Sequence, residues 1–157
     1  MRSIRRRRLE SRTDYKARLS LLKSEKVRLV IRKSNRYLTA QLVSTDIAQD
    51  KVLTGVTSRD LLDHGWPKEL FGSLKSLAAA YLTGKLLAKK SAGKTKEAIL
   101  DMGMNRNVKK SRIYAVLAGA IAGGVKVICD STILPTEADL IKNEKTAKIF
   151  AKLNKEL

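Results

Sequence analysis

Positive charge is concentrated in two short stretches of this chain, and this distribution constrains what a domain built from it can bind more than any other feature of the sequence. The 157 residues carry 33 Lys and Arg against 15 Asp and Glu, a net charge of +18. Residues 1–36 hold +11 of this charge and residues 103–124 hold +4. Like charges at this density oppose a compact state unless an anion offsets them. We therefore expect a near-neutral core that presents both stretches to an anionic partner.

The pattern favours a nucleic acid over a membrane as that partner. The sequence has no run of about 18 apolar residues, the length that a membrane-spanning helix needs. An arginine cluster near the N-terminus resembles the start of a signal peptide, but the polar segment 9–12 replaces its apolar region. The sequence thus predicts a cytoplasmic protein. With one cysteine, Cys129, and one histidine, His64, neither a disulfide nor a zinc site is expected, and no cofactor is implied.

Hydrophobic periodicity predicts an α/β fold, a mixed sheet with helices packed on it. We expect one domain over residues 13–157, preceded by a basic N-terminal arm at residues 1–12. Alternation and short apolar runs predict strands at residues 27–32, 38–42, 51–57, 98–100 and 125–129. Capping residues and helical spacing predict helices from Thr13, over 74–86, after Ser111 and after Pro135.

Local spacing adds three expectations. An apolar stripe on the first helix would consist of Tyr15, Leu19 and Leu22. One face of the third strand would consist of Val52, Thr54 and Val56. Gly84 costs its helix about 1 kcal/mol relative to Ala, so another element should pack closely there.

The N-terminal arm is the first candidate binding site. Its cations, with one more on the first helix, are Arg5, Arg6, Arg7, Arg8, Arg12 and Lys16. Runs of like charge often form interaction tails, although a tail that only improves solubility has the same composition. The second basic stretch favours RNA binding.

The turn between the first two strands is the second candidate site. Its members, on or beside the turn, are Arg28, Arg32, Lys33, Ser34, Asn35 and Arg36. A rigid hairpin can enter an RNA groove, where cations meet phosphates and short polar side chains reach 2′-hydroxyl groups. An ordinary solvated turn is the alternative, and Asn at such a turn often adopts the left-handed conformation.

The third candidate site precedes the helix capped by Ser111. Its cations are Arg106, Lys109, Lys110 and Arg112. Because a helix N-terminus is itself partly positive, added cations there are unfavourable unless an anion lies nearby. Phosphate binding would remove this conflict, whereas a flexible basic loop would leave it.

An enzymatic function is not expected. Asp101 follows a buried strand, where catalytic carboxylates often lie, but a metal-dependent nuclease needs several converging carboxylates. No Asp or Glu occurs between Asp101 and Asp130, so Asp101 should bind backbone or an arginine instead. Trp66, between Gly65 and Pro67, should pack beneath a loop, since its neighbourhood is not strongly basic.

Five motifs follow one another along nearly the whole chain: Thr13-Asp14-Tyr15, Arg32-Lys33-Ser34-Asn35-Arg36, Gly65-Trp66, Asp101-Met102-Gly103 and Ile133-Leu134-Pro135. In their order and spacing they resemble the large-subunit ribosomal protein family numbered eighteen, in its archaeal and eukaryotic form. The resemblance implies a three-layer fold like the ribonuclease H motif without its active site. It also implies a structural constituent of the large ribosomal subunit, with RNA contacts at the arm, at Arg32–Arg36 and at residues 106–112.

The partners that the resemblance implies are 5S ribosomal RNA, 23S ribosomal RNA in the central protuberance, the neighbouring 5S-binding ribosomal protein numbered five, and other large-subunit proteins. Two alternatives remain open from the sequence. One is an RNA-binding module that acts on transfer or messenger RNA. The other is a ribonuclease-H-like nuclease, which would share the expected fold.

Overall fold

A five-stranded mixed sheet organises the chain. The computed structural model describes residues 4, 6–46, 49–92 and 97–156. The strands are β1 Arg28–Lys33, β2 Leu38–Asp46, β3 Gln49–Thr57, β4 Glu97–Asp101 and β5 Lys126–Val127. They lie in the order β3-β2-β1-β4-β5. The pairs β1–β2 and β2–β3 are antiparallel, whereas β4 runs parallel to both β1 and β5. The predicted α/β fold with a mixed sheet is confirmed.

Six helices accompany the sheet in the described residues. They are α1 Arg6–Leu9, α2 Tyr15–Leu22, α3 Leu77–Lys90, α4 Arg112–Ala122, α5 Glu137–Ile141 and α6 Glu144–Glu156. Short 3-10 helices occupy Ser58–Leu62, Lys68–Ser73 and Ser131–Ile133. The single helix predicted after Pro135 is in fact two, because Asn143 begins a new helix by accepting a hydrogen bond from the Lys145 amide. None of the described helices combines the length and apolar character needed to cross a bilayer.

The main core lies between one face of the sheet and helices α3 and α4. Leu29, Ile31 and Leu42 point from the sheet into this core and are fully buried. The two helices cross at Gly84 and Gly119, where a Cβ atom on either glycine would collide with the backbone carbonyl of Val116 or Tyr81. The close approach expected at Gly84 is therefore confirmed.

Helix α6 covers the outer side of α3. Phe150 of α6 contacts Tyr81 of α3 edge to face, with ring centroids 5.5 Å apart. Leu153 is buried in the same cluster. Trp66 is also buried, as expected, and its indole N–H donates to the Leu70 carbonyl oxygen at 3.2 Å.

Two local predictions were wrong. Helix α2 is capped by Asp14 rather than Thr13, because the carboxylate accepts from the amides of Lys16 and Ala17. Leu19 of the expected apolar stripe is 56% exposed, and α2 has no buried residue.

The third strand also differs from its prediction. Leu42 pairs with Thr54 and its neighbour Val43 pairs with Val52, so β3 contains one extra residue in the form of a β-bulge. The bulge reverses the alternation, which buries Val56 and leaves Val52 on the opposite face of the sheet, half exposed.

Helix α2 lies over the sheet face opposite the main core. Arg28, Thr45 and Asp101 project from this face, as their pairing positions on neighbouring strands require. Arg18 of α2 donates to Asp50 of β3 at 2.8 Å, which ties the helix to the sheet. The charged groups on this face are therefore partly enclosed.

Candidate nucleic-acid interface

The hairpin tip, residues 33–36, and the basic loop, residues 106–112, lie side by side. Because β1 and β4 are parallel neighbours, the chain leaves both strands at the same edge of the sheet. Together with the start of α4, the two segments line a pocket of about 420 Å³, here called the tip pocket. Its lining residues are Lys33, Leu77, Arg106, Val108, Lys110, Ser111, Arg112 and Ile113. Two sites that were separate in the sequence thus form one surface.

Most cations of this surface are available to a ligand. The side chains of Lys33, Arg36, Arg106 and Arg112 are exposed and make no hydrogen bond or ion pair with any residue that the structure describes. Lys109 is also exposed. Hydrogen bonds from Thr132 lower the pKa of the Asp130 carboxylate, and the nearby charge of Lys109 adds to this effect. Unpaired cations around one pocket create a strongly positive potential that favours a phosphate-bearing ligand.

Lys110 differs from its neighbours. Its ammonium group lies 2.8 Å from the Asp139 carboxylate, and this hydrogen bond, with those from Thr136, holds the pKa of Asp139 at about 2. The Lys110 backbone has φ of +56°, a left-handed conformation that is uncommon for a residue other than glycine. Lys110 therefore anchors the basic loop to the N-terminal end of α5, and its charge is partly neutralised.

Ser111 occupies the N-cap position of α4, as predicted, but it does not cap the helix with its side chain. The side chain makes no cap hydrogen bond, and its Oγ is buried with no partner in the described structure. An N-cap hydroxyl usually accepts from an amide of the first turn. The first turn of α4 therefore keeps an uncapped, partly positive end beside the tip pocket.

The turn at the hairpin tip is held by Ser34. Its hydroxyl accepts from the Tyr37 amide at 2.9 Å and donates its single proton to the Tyr37 carbonyl oxygen. Ser34 therefore serves the turn, which leaves Asn35 as the exposed amide at the tip. Asn35 does not adopt the left-handed conformation that the sequence suggested, and its carbonyl oxygen accepts from Lys75 Nζ at 3.2 Å.

Arg28 was placed beside the turn by the sequence, and that placement is wrong. It opens β1 and pairs with Val43, at the end of the hairpin far from the tip. Its side chain is only 3% exposed and donates to Asp101, Asp50 and Thr45 at 2.8–3.0 Å. A guanidinium enclosed by two carboxylates stabilises the fold and is not presented to a ligand.

Arg28 belongs to a charged network that crosses four strands of the sheet. The carboxylates of this network are Asp50 on β3 and Asp101 on β4. Arg18 and Arg32 lie at its two ends, and their side chains are partly exposed to solvent. Burial raises the pKa of Asp50, but hydrogen bonds from Arg18, Thr45 and Arg28 outweigh it and lower that pKa to about 2. Burial acts in the same direction on Asp101, but the Arg32 guanidinium, the Gly103 amide and Arg28 together outweigh it, so the pKa of Asp101 is also lowered. The prediction that Asp101 binds arginine is confirmed.

The described part of the N-terminal arm is an exposed helical turn. Helix α1 buries no residue, and Arg6 and Arg12 both pair with Glu10, at 2.7 and 3.2 Å. Lys16 is exposed at the start of α2. Arg5 lies outside the described residues.

Arg7 and Arg12 line a second opening, the α2 cleft, which lies between the arm, helix α2 and the carboxyl ends of β1 and β4. Its volume is about 720 Å³, and Arg32 lies at its inner edge beside Asp101 and Gly103. The arm therefore adjoins Arg32, which in turn adjoins the hairpin tip. All three predicted basic segments meet along one side of the molecule.

Sequence reasoning missed Asp50 and Lys75. Asp50 belongs to a segment without any motif, and its partner Arg28 is 22 residues away. Lys75 adds a cation next to the tip, 40 residues from Asn35 along the chain. Spacing could have indicated neither contact, because both depend on how the sheet and the loop before α3 are assembled. No group of three or more His, Cys, Asp or Glu in the described residues could hold a metal ion.

Several known proteins resemble this chain over most of its length. Residues 2–98 match the family of ribosomal large subunit proteins 60S L5 and 50S L18. The large ribosomal subunit protein uL18 of Korarchaeum cryptofilum is 45% identical over 153 residues, which cover 96% of this chain and 75% of the relative. The uL18 protein of Methanoregula boonei is 40% identical over 144 residues, covering 90% and 79%. That of Halobacterium salinarum is 44% identical over 131 residues, covering 82% and 69%.

Proposed function

Because the chain belongs to the uL18 family of large-subunit ribosomal proteins, we propose that it binds 5S ribosomal RNA and helps attach it to 23S ribosomal RNA in the central protuberance. Family membership confirms the resemblance drawn from the sequence, including its archaeal type. The chain is a protein of the large subunit of the cytoplasmic ribosome. The particular RNA and the neighbouring protein numbered five are the finer steps that we propose.

One observation carries the RNA-binding proposal. The hairpin tip and the basic loop, which are at least 70 residues apart in sequence, form one surface on which Lys33, Arg36, Arg106 and Arg112 have no carboxylate partner among the described residues. By contrast, Arg28 and Arg18 are paired with carboxylates of the sheet. Cations left unpaired on one surface are what phosphate binding requires.

The shape of this surface suits a folded RNA. A two-stranded hairpin with an exposed amide, Asn35, at its tip can approach the grooves of an A-form helix, where 2′-hydroxyls and phosphates are accessible. The arm and the basic loop lie on either side of it and would contact the flanking backbone. We therefore assign contact roles to the arm, to Arg32, Lys33, Asn35 and Arg36, and to the basic loop.

The direct experiment is nucleotide-resolution footprinting of an archaeal 5S ribosomal RNA with and without the protein. We expect protection of a contiguous region, and an affinity for 5S RNA well above that for transfer RNA or a scrambled RNA of equal length. Equal affinity for all three RNAs would contradict the 5S assignment and favour a general RNA-binding module.

A ribonuclease-H-like nuclease is the alternative from another class. Both oxygens of the Asp101 carboxylate are bonded to arginines, Oδ2 to Arg28 and Oδ1 to Arg32. A carboxylate held in this way is already neutralised and is poorly placed to bind a divalent cation. We therefore propose a non-catalytic role, and magnesium-dependent cleavage of RNA by the purified protein would contradict it.

A further inference from the structure

We propose that the α2 cleft seats one unpaired nucleotide of the bound RNA, with the phosphate on Arg32, and that Asp101 and Gly103 position this arginine. The proposal rests on the RNA-binding function proposed above. It assigns a ligand to an opening that is separate from the tip pocket, and it gives a role to two residues that carry no positive charge.

Arg32 is fixed on one side and free on the other. Its Nη1 donates to the carbonyl oxygens of Asp101 and Ile31 at 2.7 and 3.0 Å, and its Nη2 donates to Asp101 Oδ1 at 2.8 Å. The guanidinium has five N–H donors, so the Nε proton and one Nη2 proton have no partner in the described structure. These protons lie on two nitrogens joined by the same carbon, a pair that can bind one phosphate through two hydrogen bonds.

Gly103 makes this arrangement possible. Its φ of +60° suits glycine, and its amide donates to Asp101 Oδ1 at 2.9 Å. A Cβ at this position would lie 2.8 Å from Arg32 Cζ and 3.1 Å from both Nε and Nη2. Because Cζ would be the nearest atom, Gly103 lies against the face of the guanidinium and leaves its free edge open.

The remaining walls of the cleft suit a nucleobase and its backbone. Apolar atoms come from Leu21, Ile99, Met102 and Met104, and Met104 is 55% exposed. Arg7 and Arg12 lie on the arm side of the cleft, where they can bind the neighbouring phosphates of the RNA. A volume of about 720 Å³ lies within the range of pockets that hold small ligands. A flat base can therefore pack on the Met104 side chain while the phosphate of the same nucleotide binds Arg32.

The first test compares conservative variants that keep the charge. Arg32→Lys should weaken binding of an archaeal 5S ribosomal RNA about tenfold, because an ammonium group cannot reproduce the paired hydrogen bonds. Arg59→Lys is the matched control and should bind almost normally, since Arg59 is also exposed but lines neither the α2 cleft nor the tip pocket. Met104→Ala should weaken binding about threefold, through lost apolar contact, without changing its salt dependence. Val52→Ala, which removes a similarly exposed apolar side chain outside both pockets, should have a smaller effect.

A spectroscopic measurement tests the contact itself. The Arg32 Nε–H resonance, assigned by its loss in Arg32→Lys, should shift downfield when the 5S RNA is added. In Gly103→Ala the shift should be diminished, because the new methyl group displaces the guanidinium. A free nucleoside monophosphate at equal concentration should cause little shift, because it lacks the contacts of the surrounding RNA.

The outcomes separate this proposal from the proposed function. If the protein binds 5S RNA tightly but Arg32→Lys and Met104→Ala bind like the original and the Nε–H resonance does not move, the nucleotide seat is wrong and the RNA-binding function stands. A shift as large with the free nucleotide as with RNA would also overturn the seat for an RNA nucleotide. If the unmodified protein does not bind 5S RNA, both proposals fail.

Discussion

Arg28 Nη1 donates to Asp101 Oδ2 at 2.9 Å and joins two residues that lie 73 positions apart in the sequence. The bond links β1 to β4, the strand pair that connects the hairpin to the second half of the sheet. Both side chains are buried, with 3% and 8% of their surface exposed. The contact is therefore part of the fold, although the sequence suggested an RNA ligand for Arg28.

Removing the Asp101 carboxylate should destabilise the protein strongly. Asp101→Ala leaves the buried Arg28 guanidinium with only Asp50 and Thr45, so we expect the free energy of unfolding to fall by about 3–5 kcal/mol. Arg32→Ala is the control, because it removes the exposed end of the network and should cost less than about 1 kcal/mol. Urea denaturation followed by circular dichroism measures both, and a loss under 1 kcal/mol for Asp101→Ala would refute this account.

Stability should fall in acid partly through Asp50. Its pKa is about 2 in the folded protein against an ordinary value of 3.8, so the unfolded chain binds the proton more readily. The stabilisation is complete above about pH 4 and is lost as the pH falls towards 2. Since the side chain is about one third exposed, we expect a contribution on the order of 1 kcal/mol.

The comparison with Asp50→Asn isolates this contribution. Between pH 4 and pH 2 the variant should lose less stability than the original protein in parallel urea titrations. Identical slopes in the two proteins would show that Asp50 does not contribute to acid unfolding.

Helix packing at Gly84 should tolerate no side chain. A methyl group there would collide with the Val116 carbonyl of α4, so Gly84→Ala should force the two helices apart and cost about 1–3 kcal/mol. Gly72→Ala is the matched control, since no atom lies within 4 Å of the added methyl group. Thermal melting should therefore separate the two variants clearly, and equal melting temperatures would contradict the close crossing.

Deleting residues 1–12 should affect RNA binding and leave the folded domain intact. The described part of the arm buries no residue, and Asp14, which caps α2, is retained. We expect a nearly unchanged melting temperature and a clear loss of affinity for 5S RNA. A large drop in melting temperature would show that the arm is structural.

Charge and hydrogen bonding at the hairpin tip should be separable. Lys33→Ala should weaken binding to all RNAs and reduce the slope of log affinity against log salt by about one phosphate contact. Asn35→Ala should leave that slope unchanged and cost on the order of 1 kcal/mol for 5S RNA through lost hydrogen bonds. Because Asn35 is not left-handed, alanine introduces no backbone strain there. Filter binding over a salt series tests both, and a changed slope for Asn35→Ala would contradict its assigned role.

The sequence predicted the sheet, the order of its main elements and the regions of high positive charge. These features leave local signals, such as the alternation through Leu29 and Ile31 and the helical spacing through Leu82 and Leu86. The bulge at Leu53 left no signal, because a single extra residue is visible only against the paired strand. The capping of α2 by Asp14 instead of Thr13 was equally undetermined, since both residues are good caps.

The sequence predicted most residues of the candidate site but not the separate role of each one. Sequence alone treats Arg28, Arg32 and Lys33 as equivalent cations on one hairpin. Their roles differ because Asp101, which is distant in sequence but lies on the neighbouring strand β4, binds the side chains of Arg28 and Arg32. Lys33 makes no hydrogen bond or ion pair with Asp101 in the described structure. The joining of the hairpin tip to the basic loop depends in the same way on β4 being parallel to β1.

The long separation of Arg28 and Asp101 also bears on how the chain is made. At about 5–20 residues per second, roughly 4–15 seconds pass between synthesis of the first residue and of the second. Once β2 and β3 have been made, β1 is the open edge of the sheet that the three strands form until β4 follows. A charged side chain on an open edge strand discourages pairing with the strands of other nascent chains. We therefore expect the charge of Arg28 to disfavour such pairing until Asp101 is made and binds the same guanidinium.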